Sequence, residues 1–124
     1  MTEHASTSPI ALRVHDQDGS AHDIHLTVVT PAGTGTLAIL HPDGRVMQQF
    51  TFARLQKSRD GKTLTCRIGF TTATLTLDDQ PSPPQLHIAA RAFLPLFNAT
   101  YMLSQDEQQR LGAWIDTLSI GMLA

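Results

Sequence analysis

Histidines and carboxylates crowd one short stretch of this chain: His15, Asp16, Asp18, His22, Asp23 and His25 all fall within VHDQDGSAHDIH. Side chains of these types could hold a metal ion or pass a proton, so their spacing decides. On a helix His22 and His25 would share a face, whereas on a strand positions three apart point to opposite faces. Ile24, Leu26 and Val28 alternate with polar residues, so the stretch reads as strand. The three histidines are therefore expected on the solvent side without a common focus. Neither H-E-x-x-H nor a Cys/His pairing is present, so no metal and no cofactor are expected. DQDG resembles the start of a calcium loop. Asp16, Asp18 and Gly19 do not keep that spacing, however, and no bidentate glutamate follows. A tight turn is the reading.

Two other stretches carry reactive or ligand-approaching residue types. Cys66 lies in TLTCRIGF between strand residues, with Arg67 expected on the opposite face. A reactive thiol needs a lowered pKa and a base in reach, and neither is visible, so an inert strand cysteine is expected. PAGTGT offers Gly33 and Gly35 without the Gly-Lys-Ser/Thr of a P-loop or the G-x-G-x-x-G of a dinucleotide fold, and it reads as a plain connection. No G-x-S-x-G elbow occurs.

The most suggestive set is apolar: Phe93, Leu94, Leu96, Phe97, Tyr101 and Met102, all within RAFLPLFNATYML. This is more large apolar surface than the inner face of one strand buries. It is either core or a patch that meets a protein partner, a second copy of the chain, or a small apolar ligand. Residues 93–102 are therefore the candidate partner-binding residues, and no catalytic residue is assigned.

The elements that must position these groups are mostly strands. Ile10, Leu12 and Val14 alternate, as do Ile24, Leu26 and Val28. Placing core opposite core sets Leu12 against Ile24 and Ile10 against Leu26. That register needs a three-residue loop, Gln17-Asp18-Gly19, with a G1 bulge at Gly19, and it puts Arg13 opposite Asp23. HPDGR and SRDGK repeat this turn chemistry, which describes an antiparallel meander. Thr72–Leu77 and Gln85–Ala90 read as further strands, and residues 91–103 fit strand or a broken helical turn equally.

LSQDEQQRLGAWIDTLSIGM then writes an amphipathic helix over 104–119. Ser104 and Glu107 form a capping box, and Leu111, Trp114, Ile115, Leu118 and Met122 make one apolar stripe. The expected fold is mainly β: a small antiparallel barrel or sandwich of about seven strands, closed by one C-terminal helix. Residues 1–8 are expected as a disordered tail and 9–124 as one domain.

Composition narrows the function classes. Net charge is −2 and no Lys/Arg block occurs, so no binding to nucleic acid or membrane is expected. One cysteine, no apolar leader and no run long enough to span a bilayer point to a cytoplasmic protein.

The closing pattern, an aliphatic strand followed by Leu103-Ser104 and a helix with an acidic first turn, resembles the end of a PilZ domain. The likeness covers roughly the final quarter of the chain. PilZ domains are bacterial β-barrels of similar size, many of which bind cyclic di-GMP. The nucleotide motif is absent here: Arg54 and Arg59 do not make R-x-x-x-R, and Asp23 stands where D/N-x-S-x-x-G needs glycine. What the resemblance implies is an adaptor that does not bind the nucleotide. A barrel with a Trp-bearing terminal helix also resembles pleckstrin-homology architecture in outline.

The expectation is a small bacterial, non-enzymatic binding or accessory module that uses the surface around residues 93–102 for a protein partner or self-association. The alternative is a small-ligand carrier or sensor, with a pocket opened by Ala38, Ala53 and Ala73. A third reading, an enzyme using a hairpin histidine as acid or base, has no residue visible to tune it.

Overall fold

Strict alternation of apolar and polar residues sorts the chain into strands, and the computed structural model, which describes residues 6–122, contains ten of them. In chain order these are β1 (Ser6–His15), β2 (Ala21–Thr30), β3 (Thr34–Leu40), β4 (Val46–Phe52), β5 (Arg54–Lys57), β6 (Thr63–Ile68), β7 (Thr71–Asp78), β8 (Gln85–Arg91) and β9 (Pro95–Met102). Helix α1 (Gln105–Thr117) and the two-residue β10 (Gly121–Met122) follow. The mainly-β expectation with one C-terminal helix holds.

Two details of that expectation do not. The strands number ten rather than about seven, and they form one sheet that runs β10-β5-β6-β7-β8-β9-β1-β2-β3-β4 without closing into a barrel. Pairing is antiparallel throughout except for β10 on β5. The sheet divides into two meanders, β1–β4 and β5–β9, that meet at a single bridge, His15 with Met102. Beyond that bridge β9 runs on past the β1–β2 turn, so the two strands diverge. At the far ends β4 bends at Ala53 into β5, and the Ala53 N–H donates to the Arg67 carbonyl at 3.0 Å.

Register makes one face of this coiled sheet the core. Leu12, Ile24 and Ile39 stand in a cross-strand row, and Cys66, Ala73 and Ala90 in another, all buried. The curl carries β4 across to β9, where the Phe50 and Phe97 rings meet edge-on at 6.1 Å. Ala38 and Ala53 do not open a pocket. Ala38 pairs with His25 on the outer side, Ala53 is exposed, and only Ala73 faces inward.

The first hairpin has the expected register: Leu12 opposes Ile24, Ile10 opposes Leu26, and Arg13 opposes Asp23 with a 2.6 Å ion pair. Gly19, Gly44 and Gly61 all sit at positive φ and donate to the carbonyls of Asp16, His41 and Ser58, so the three Asp-Gly turns share one design. Gly35 lies in β3 rather than in a loop. A Cβ there would meet the Thr27 carbonyl oxygen at 1.9 Å, which only glycine avoids.

The tail expected over residues 1–8 gives up its last three residues to β1. Ser6, Thr7 and Ser8 pair with Thr30, Val29 and Val28, while residues 1–5 lie outside the described residues.

The helix is shorter too. It ends at Thr117, Leu118 caps it, and Met122 belongs to β10, where it is 54 % exposed. Only half the capping box forms. The Ser104 hydroxyl accepts from the Glu107 N–H at 3.2 Å, but the Glu107 carboxylate turns to the Arg13 N–H at 2.7 Å instead. Arg110 likewise donates to the Ala11 carbonyl at 2.9 Å. These two side chains satisfy the edge of β1 that β9 leaves bare. The helix thus closes the gap between the meanders, with Leu111 and Ile115 buried beneath it.

Candidate functional site

The six residues proposed for partner binding do not form one surface. Leu94 and Leu96 are 72 % and 59 % exposed, and Phe93 is 93 % exposed in the β8–β9 turn. Phe97 points inward against Phe50 and is half-buried, as is Met102. Tyr101 is buried and belongs to the core, not to a contact surface. Pleating accounts for the division. Phe97, Ala99 and Tyr101 alternate onto the inner face by pairing with Ala90, Ile88 and Leu86. The same alternation puts Leu96 outward, and the β8–β9 register shift between Ala90 and Arg91 leaves it there as an extra residue.

The exposed part has a partner that sequence reasoning missed. Phe70 occupies the β6–β7 turn and is 94 % exposed. Thr72 pairs with Arg91, so the β6–β7 and β8–β9 turns emerge at the same end of the sheet. Gly69, at φ +61, takes the first central position of the two-residue turn, which leaves Phe70 at its tip. The signal lay in Gly-Phe between two alternating runs, IGFTT, where an apolar residue stands in a turn position that normally takes a polar one. Phe70, Phe93, Leu94 and Leu96 thus make one apolar end.

The inward part joins a second feature at the other end of β9. Expected on the solvent side, His22 is instead only 6 % exposed, because Val14 opposite it puts its side chain on the core face. Its Nε2 lies 2.9 Å from Asp16 Oδ2, and its ring packs edge-on against Tyr101 at 5.6 Å. The other Asp16 oxygen accepts from the Asp18 and Ser20 N–H groups. The His22 hydrogen bond holds the Asp16 carboxyl below the usual carboxylate range, and burial pushes the Tyr101 phenol up, with the Asp16 charge adding to it. A cleft of about 470 Å³ opens here, between Asp16–Asp18, Met47 and Asn98–Tyr101.

An Asp–His pair beside a cleft has the residue types of a general base. With the ionised Asp16 accepting from Nε2, the nitrogen left to take a proton is Nδ1. That atom is buried without a partner and out of reach of a substrate. Asp16 meanwhile spends its remaining oxygen on the turn. The pair fastens the β1–β2 turn to Tyr101 rather than presenting a base.

Among the described residues no three His, Cys, Asp or Glu side chains come together as a metal site would need. Cys66 is buried, and desolvation pushes its thiol up to about 12, so it is protonated at neutral pH. No helix among the described residues is long and apolar enough to cross a membrane. No family model, curated protein or solved structure matches the chain.

Proposed function

We propose that this chain is a non-catalytic binding module whose contact surface is the apolar end formed by Phe70, Phe93, Leu94 and Leu96. One observation carries the reading: two phenylalanines from neighbouring turns are each more than nine-tenths exposed at the same end of the sheet. Scattered surface apolar residues need no explanation, but three large ones on two neighbouring turns, with Leu96 beside them on β9, gather at one end as residues that meet a partner do. Neither phenylalanine contributes to the core that stabilises the fold. Their place at the tips therefore has no folding rationale.

The buried Leu, Ile and Phe side chains gathered on the inner face favour this surface reading over a small-ligand carrier with an interior pocket.

A photoreactive phenylalanine analogue at position 93, compared with one at the exposed Gln49 of β4, tests the proposal in living cells. Discrete adducts from position 93 and none from position 49 are expected. Equal adducts from both, or none from either, would contradict it.

A further inference from the structure

Behind the apolar tips stands a level row of positive charge. Arg54 pairs with Arg67 across β5 and β6, Arg67 with Thr72 across β6 and β7, and Thr72 with Arg91 across β7 and β8. Residues in one cross-strand row share a face, and all three arginines are on the exposed outer one. At roughly 4.8 Å per strand the row spans about 14 Å. Among the described residues none of the three makes an ion pair or a side-chain hydrogen bond, whereas Arg13, Arg45 and Arg110 all do.

The carboxylates of the same meander are elsewhere. Between Arg54 and Met102 they are Asp60, Asp78 and Asp79, all in or beside the β5–β6 and β7–β8 turns at the opposite ends of these strands. The end that carries the three arginines therefore holds no carboxylate of the β5–β9 meander.

Phe70 follows Arg67 by three residues and Phe93 follows Arg91 by two, so both tips project past the row. Apolar points leading, with a straight line of unpaired guanidinium groups at one depth behind, fit a plane of negative charge over an apolar layer. The tips are convex and separate, which suits a deformable surface better than the paired pockets a folded protein would need.

Building on the contact surface proposed above, we infer that this end docks on an anionic phospholipid bilayer. Phe70, Phe93 and Leu94 enter the boundary between headgroups and acyl chains, and Arg54, Arg67 and Arg91 meet the phosphates.

Vesicle flotation of the full chain tests this, comparing pure phosphatidylcholine with vesicles carrying about a third phosphatidylglycerol, at roughly 0.1 M salt. Flotation with the anionic vesicles only is expected, with release at high salt. The triple variant Arg54→Gln/Arg67→Gln/Arg91→Gln should lose about a hundredfold in partitioning, near fivefold per arginine. Phe70→Ser/Phe93→Ser should also release the chain, with an unchanged circular dichroism spectrum showing that each variant is folded. Failure of the intact chain to float, or undiminished flotation of either folded variant, would overturn the inference. Protein adducts from position 93 without flotation would overturn the membrane as partner and keep the contact surface. Neither adducts nor flotation would sink both.

Discussion

Phe93 and Tyr101 lie on the same short segment and have opposite fates. Tyr101 is buried against His22, while Phe93 stands in water. Their substitution should separate packing from function. Tyr101→Ala is expected to cost about 3 kcal/mol in chemical denaturation, as large-to-small core changes do. Phe70→Ser and Phe93→Ser should each stay within about 0.5 kcal/mol of the parent, as surface changes do. A large loss for either phenylalanine would place it in the core and remove the patch.

The carboxylates give a second prediction at this scale. Asp16, Asp43, Asp60 and Asp79 are held below their usual value of 3.8, chiefly by hydrogen bonds from His22, the Arg45 N–H, Ser58 and Lys62 respectively. A depressed folded-state pKa contributes stability that is present above the unfolded value and lost as pH falls through the folded one. The melting temperature should hold as pH drops to about 5 and then decline through 4 and below. A melting temperature that rose on acidification would reverse the assigned sign. Alternation along β9 predicts which residues point inward, and Tyr101 could have been placed by it. It says nothing of Phe70 and Phe93, because turn residues have no pleat.

At the scale of elements, the three Asp-Gly turns were readable because their glycines need positive φ whatever surrounds them. The first hairpin's register was readable because core must face core. The helix's start was readable and its end was not. Leu118 and Met122 continue the apolar period, yet the chain leaves the helix at Leu118 to add β10 to the edge of β5. Tertiary contact decides this end.

α1 has no basic residue in its last turn, and Lys57 from β5 substitutes, its Nζ donating to the carbonyls of Leu118 at 2.9 Å and Ile115 at 3.3 Å. A cation at a helix C-terminus that also satisfies its free carbonyls is stabilising. Lys57→Met, which keeps most of the apolar stem, should therefore cost about 1 kcal/mol in thermal or chemical unfolding. A neutral result would show that water serves those carbonyls equally well.

For the whole molecule, the polarity of the two ends follows from counting. In an antiparallel meander successive turns alternate between ends, so the number of strands fixes which turns are neighbours. Within the β5–β9 meander the β6–β7 and β8–β9 turns share one end with their phenylalanines, and the β5–β6 and β7–β8 turns share the other with Asp60, Asp78 and Asp79. Reading about seven strands, and leaving 91–103 undecided, loses that parity. Phe70 then has no visible relation to Phe93. Net charge does not reveal the arginine row, because it sums over the whole chain. Spacing among the three histidines hides the place of His22, which its position opposite Val14 puts on the core face.

Contact is made by the one end of the β5–β9 meander that carries Phe70 and Phe93. Photo-crosslinking carried to both ends of that meander tests this most directly, with the reactive phenylalanine placed in turn at Phe70, Phe93, Asp60 and Gln80, the last two exposed in the β5–β6 and β7–β8 turns. Adducts from positions 70 and 93, with none from 60 and 80, are the predicted result. Adducts from positions 60 and 80 in place of the phenylalanine tips would contradict it.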